Sequence, residues 1–291
     1  MKHLINQVIP SKMNRRRGVF KHHSRRGFAI MCILVLVGCA TVPHTGRRQF
    51  NMVSDQQLNS LADRAFTEVL EKEPACQDRR LKETVQRVAD RISKAAETID
   101  KPGFKWDVRV VEKDVPNAFC LPGGKIVVYS GIIPYVKNEA GLAAVVAHEV
   151  SHAVARHGGE RLSQQLALKG AVTVGGEVLK KKDGNLDAAS RVLLGAMGMG
   201  GTVGLILPYS RIHEFEADRI GQKYMARAGY DPEEAARMWE RMSKIKKPPI
   251  PVWLSTHPAD EDRISKLRES LPDARKIYNE SPVKYGLGSM L

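Results

Sequence analysis

Residues His148 to His152 read HEVSH, and no other five residues limit this chain so much. Two histidines four apart, with a glutamate directly after the first, share a purpose only on a helix. There, positions i and i+4 lie one turn apart on the same face, so both imidazoles address one point. Zinc suits nitrogen ligands, and a catalytic zinc takes three protein ligands and leaves one position open. Glu149 is turned about one hundred degrees from His148. It is poorly placed to join that ligand set and well placed to take a proton from an attacking water. Ala143, Val146, Ala147, Val150 and Val154 form an apolar back that holds such a helix rigid. The alternative is a helix with two satisfied surface histidines, and a third ligand decides between them.

The pattern HExxHxxGxxH would supply that ligand at position 158, but Ala155 and Gly158 occupy its last two places. His157 is one residue off and reads as a C-terminal helix residue suited to the helix dipole. A second helix offers a carboxylate instead. Residues 209–221 read YSRIHEFEADRIG, in which Glu214 and Asp218 again stand at i and i+4. Glu214 can complete the ligand set. Asp218 can then accept the free N–H of a ligand histidine, which fixes the tautomer and strengthens the ligand. Glu216 falls roughly opposite on that helix and is a poor ligand by geometry. His213 is the main rival, without a partner carboxylate one turn on.

The blocks NAFCLPGGKIVVYSGI, AAVVAHEVSHAVARH, YSRIHEFEADRIG and STHPADEDRI cover nearly all of residues 54–272. In that order they resemble metallopeptidase family forty-eight, which includes the heat-shock protease HtpX and the prenyl-protein endopeptidases. The resemblance implies an α+β fold, a mostly helical gluzincin-type zinc metallopeptidase domain with a small antiparallel sheet. It implies one Zn²⁺ per chain, held by His148, His152 and Glu214, with Glu149 as the catalytic glutamate. The body lacks the spanning helices of the integral-membrane members and is similar to their lipid-anchored periplasmic relatives. From the last block, His257 and Arg263 are candidate oxyanion donors. His257 has a second role open to it, as a fourth ligand that keeps the enzyme latent.

The leader sets expectations of its own. More than half of the net charge of +14 lies in residues 1–38, which hold eight Lys and Arg and no acid. The remainder has no basic, aromatic-interleaved groove, so nucleic acid is not expected as a partner. The apolar stretch Phe28–Gly38 is short for a membrane span. Leu36-Val37-Gly38-Cys39 resembles a lipobox, which predicts lipidation at Cys39, and Ala40 after it favours the outer membrane. Ser24–Phe28 resembles a twin-arginine export signal, with a generic basic region as the alternative.

The expected organisation is a lipoprotein signal peptide over 1–38, a lipidated linker over 39–53, the metallopeptidase domain over 54–275 and a C-terminal tail over 276–291, whose final dozen residues read as loose. The capping box Ser54–Gln57 predicts a helix to about Lys72, and a second helix runs from about Asp78 to Ala96. A strand is expected over Trp106–Val111, and Lys125–Ser130 reads as an exposed edge strand for an extended substrate. The metal helix runs from Asn138 to about His157, with Gly158 as its stop. Further helices are expected over 160–181, 186–206, from Ser210 to Gly229, after Asp231-Pro232 and after Pro258. Val192–Leu207 is apolar with five glycines and reads as a packed or mobile core helix. Cys76 and Cys120 are either a disulfide or two buried thiols.

Together these predict an endopeptidase for unfolded or misassembled envelope proteins, anchored by lipid at the periplasmic face of the outer membrane, with outer-membrane assembly machinery as a candidate partner. The competing readings are a zinc-containing periplasmic chaperone or assembly factor, and a structural lipoprotein with an incidental HExxH.

Overall fold

The computed structural model describes residues 39–168, 210–245, 252–258, 261–286 and 290–291. The leader, most of the 160–181 and 186–206 segments, the run Val192–Leu207 and the break Lys246–Pro251 lie outside the described residues. So does the side chain of Cys39, and with it the lipidation expected there.

β1 (Cys39–Thr41) and β2 (Arg48–Phe50) form a small two-stranded sheet. α1 (Asp55–Lys72) begins at the capping box its sequence announces: Ser54 accepts from the Gln57 amide and Gln57 reaches back. α2 (Arg79–Ile99) is capped by Asp78.

A three-stranded sheet follows, in the order β3 (Asp107–Val111), β5 (Lys125–Tyr129), β4 (Ala118–Leu121). β4 and β5 pair antiparallel as the expected small sheet requires, but β3 joins β5 in parallel, so the sheet is mixed. β5 is therefore the central strand and not an exposed edge. Its sequence explains why: Ile126 and Val128 face the main core, while Val127 and Tyr129 face a second apolar cluster with Leu58, Leu61 and Phe66 of α1. A strand covered on both faces reads as a continuous apolar run, the pattern of an interior strand.

After a short α3 (Ile133–Val136), Asn138 caps α4 (Glu139–Val154) by accepting from the Gly141 amide at 2.7 Å. Every residue of α4 is buried. Helices close round it on several sides, among them α2, α6 (Arg211–Arg227) and α7 (Glu233–Ser243). The helix stops three residues earlier than expected. Arg156 takes a left-handed φ of 58°, the Gln49 side-chain amide donates to the Ala155 carbonyl, and the chain re-enters a helix, α5 (His157–Leu168). Gly158 lies inside α5 and is not a stop.

α8 (Val252–Thr256) is a short helix that no sequence signal announces, and α9 (Glu261–Glu280) follows. The C-terminal tail is not loose where it is described: α9 runs to Glu280, and the Tyr285 amide donates to the Gly229 carbonyl at 2.8 Å. The Arg91 guanidinium lies 3.5 Å from the centre of the Tyr285 ring, which pins the segment through a cation–π contact. Cys76 and Cys120 are buried free thiols. Among the described residues no helix is long and apolar enough to cross a membrane.

Candidate metal centre

The site begins with a glycine. A side chain at Gly221 of α6 would come within 3.2 Å of the Ala147 and His148 backbone of α4. Its absence lets the two helices approach closely at the level of His148. One and two turns before Gly221, Asp218 and Glu214 then reach the imidazoles of α4.

Ligand atoms of His148, His152, Glu214 and His257 all lie within 4.8 Å of one another. His148 Nε2 is 3.1 Å from His152 Nε2 and 3.3 Å from Glu214 Oε2. His152 Nε2 is 3.4 Å from Glu214 Oε1. His257 Nδ1 is 3.1 Å from His148 Nε2 and 3.0 Å from Glu214 Oε1. Bonds of about 2.0–2.1 Å in a tetrahedron separate neighbouring ligand atoms by about 3.3 Å, so the spacing and the nitrogen-rich donor set both fit zinc. The structure thus brings together the three ligands expected from sequence and sets a ring nitrogen of His257 beside them.

Glu149 is 2% exposed. Its Oε1 accepts from the Trp253 indole N–H at 2.7 Å and lies 3.5 Å from His257 Nε2. Trp253 also stacks on Trp239 with centroids 4.7 Å apart, and its amide donates to the Pro116 carbonyl at 3.1 Å. α8 therefore lies between Glu149 and the chain just ahead of β4. Nothing in the Val252–Thr256 sequence separates this role from ordinary core packing.

Asp218 stands where the helical spacing placed it, with Oδ1 2.9 Å from His148 Nδ1. Arg263 is redirected. Its Nη1 is 2.7 Å from Glu214 Oε2, and its Nε and Nη2 donate to Asp218 at 2.8 and 2.7 Å. A guanidinium committed to two buried carboxylates holds ligands in place and is not aimed at a substrate oxyanion. Burial works to raise Glu214, but His257 and Arg263 hold it well below the usual carboxylate range. Burial likewise opposes charge on His148, yet Asp218 and Glu214 push it up to about 9.

His157, Glu216 and His213 are not ligands, but none is idle. The break after α4 turns His157 inward, with Nδ1 2.8 Å from His152 Nδ1. Its Nε2 is 3.1 Å from Glu216 Oε2, and its ring stacks on His213 at 4.4 Å. His213 Nε2 is 2.9 Å from Glu160 Oε2. The only sequence trace of this group is the one-residue offset of His157, because the left-handed turn at Arg156 has no glycine to announce it.

A family model described as Peptidase family M48 matches residues 76–271. The chain is 38% identical over 242 residues to the mitochondrial metalloendopeptidase OMA1 of Schizosaccharomyces pombe, covering 80% of this chain and 67% of that protein. It is 39% identical over 191 residues to the protein of the same name from Saccharomyces cerevisiae, with 62% and 51% covered. It is 29% identical over 237 residues to the beta-barrel assembly-enhancing protease of Yersinia pestis, with 78% and 46% covered. The matches thus span between about half and two thirds of those relatives' lengths. The mitochondrial relatives overturn the outer-membrane, lipid-anchored localisation expected from the leader. A basic, acid-free leader is shared by several targeting routes and cannot carry a localisation alone.

Proposed function

The chain belongs to peptidase family M48 and is a zinc metallopeptidase; from that premise we propose that it is an endopeptidase of protein quality control, cutting unfolded or misassembled clients. The observation that carries the reading is the set of ligand-atom spacings around His148, His152 and Glu214, with the Glu149 carboxylate on the adjoining turn. The similarity to a beta-barrel assembly-enhancing protease supports clients met in the course of assembly.

When bound, zinc supplies Lewis acidity that polarises the scissile carbonyl and acidifies water. His148, His152 and Glu214 would hold it. Asp218 keeps His148 in the tautomer that presents Nε2. Glu149 removes the proton of the attacking water and returns it to the departing amine. β4 is the edge strand that packs on α4, and its residues are buried, so an extended client pairs with it only once the chain covering it withdraws. The Trp253–Pro116 hydrogen bond engages the chain beside that edge, and Trp253 engages Glu149. This favours a latent arrangement in which α8 and His257 must withdraw before cleavage.

Casein digestion tests both parts. Glu149→Gln loses about 10²- to 10⁴-fold in rate with its zinc content unchanged. If digestion persists in Glu149→Gln, the assignment of the base is wrong; if the wild type digests nothing even with α8 displaced, a chaperone without proteolysis takes its place. His257→Ala raises the rate if His257 is a latch and lowers it if His257 stabilises the oxyanion.

A further inference from the structure

We infer that Arg47, in the loop between β1 and β2, is a positioning residue for the metal centre: through Glu216 and His157 it fixes the orientation of His152. The inference rests on the reading of the site as a zinc centre and extends it to a segment ahead of the catalytic domain.

The hydrogen bonds allow a single consistent set of protons. His152 turns Nε2 toward the other ligand atoms, so its Nδ1 carries the hydrogen when Nε2 binds metal. His157 Nδ1 must then accept, at 2.8 Å, which leaves the hydrogen of His157 on Nε2 to be donated to Glu216 Oε2 at 3.1 Å. Glu216 has more than one orientation open to it unless something holds both its oxygens. Arg47 does so: Nε donates to Oε1 at 2.9 Å and Nη2 to Oε2 at 3.0 Å, with Thr45 Oγ1 donating to Oε1 at 2.8 Å.

Arg47 also joins two carboxylates that otherwise face each other in the interior. Its Nη1 and Nη2 donate to the two oxygens of Glu160 at 2.9 and 2.8 Å. Glu160 and Glu216 are each only 5% exposed. A planar fork with five N–H donors can serve two carboxylates at once, which an ammonium cannot match in geometry. The loop carrying Arg47 is itself fixed. The Val42 amide donates to the Arg47 carbonyl at 2.9 Å, and His44 Nε2 is 3.0 Å from Asp100 Oδ2 at the end of α2. A ligand on α4 is thereby oriented from about one hundred residues upstream, as the outer partners of metal-binding histidines generally orient them.

The test measures zinc affinity of the full chain by chelator competition, with the visible spectrum of the cobalt-substituted protein as a second readout. Arg47→Ala weakens zinc by about 10- to 100-fold and shifts the cobalt bands. His157→Phe does the same, and adding Arg47→Ala to it costs nothing further, because the two act along one line. His213→Phe keeps the stacked ring, removes the hydrogen bond to Glu160, and leaves zinc affinity unchanged. Wild-type affinity in Arg47→Ala overturns the inference. So do additive losses in the double variant, or a loss in His213→Phe equal to that in Arg47→Ala, which would mark general loosening. Should Arg47→Ala fail to fold, Thr45→Val decides, since it takes one hydrogen bond from Glu216: a severalfold weakening supports the inference and an unchanged affinity overturns it. A wild-type chain that binds no zinc overturns the metal-centre reading itself, a result distinct from wild-type binding that Arg47→Ala leaves intact.

Discussion

The two histidines of α4 are backed in different ways. Behind His148 the carboxylate of Asp218 makes direct contact, clamped by Arg263 and touched by the Trp239 indole N–H at 3.3 Å. Behind His152 a second imidazole intervenes, and the carboxylate beyond it is held by an arginine from a loop ahead of α1. Both arrangements end in an arginine–carboxylate pair. The first is sealed: Arg263 is 1% exposed and packs flat on Trp239, its guanidinium 3.6 Å from the ring centre. The second is reachable, since the Arg47 side chain is 25% exposed. The same chemical device is thus built once as core and once as a fastening between segments.

The largest expected effect separates the two on stability. Arg263→Met leaves Glu214 and Asp218 buried without their cation, and removing one partner of a buried pair costs about 3–5 kcal/mol. Arg47→Ala costs less, because water can reach the vacated position and solvate Glu160 and Glu216. Denaturant unfolding of both variants measures the difference. Equal losses would mean that the sealed and reachable regions are energetically alike, and the distinction drawn between them would go.

A smaller effect separates them on metal binding. Asp218→Asn removes a carboxylate in direct contact with a ligand, and loss of such a partner weakens binding by about 10- to 100-fold. Glu216→Gln acts one imidazole further away and weakens zinc toward the lower end of that range. Chelator competition ranks them; if Glu216→Gln proves the more damaging, the relay and not the direct contact dominates ligand orientation.

The sequence shows one of these regions and hides the other for a physical reason. Glu214 and Asp218 are one helical turn apart, as His148 and His152 are, so periodicity alone lines up four side chains once two helices are expected. Gly221 permits the close crossing, and its position inside YSRIHEFEADRIG is visible without coordinates. The His152 side depends on a left-handed Arg156, on a helix that restarts at His157, and on Arg47 meeting residues more than one hundred positions away. None of these has a local signature, and a strongly helical pattern argues for continuing the helix where the chain breaks it. The sheet behaves similarly. Strand positions follow from β-branched alternation, but the central place of β5 follows from cover on both faces, which the run Ile126–Tyr129 hints at and its edge-strand reading overlooked.

The smallest effect is a change in pH dependence arising in the reachable region. Burial works to raise the Glu160 carboxyl, but His213 and Arg47 outweigh it and bring it from 4.5 to about 2. A carboxylate depressed by folding contributes stability that is complete above its unfolded value and lost as pH falls through its folded value. Folding should therefore weaken between pH 4.5 and about 2 as Glu160 takes up a proton. Arg47→Ala removes part of the attraction that lowers Glu160, so the variant starts less stable and loses less on acidification. Unfolding free energies at about pH 5 and about pH 3 supply the two slopes. A variant slope as steep as the wild type's would show that His213 and His157 hold Glu160 and Glu216 down, and that Arg47 fastens the loop without sharing charge with either carboxylate.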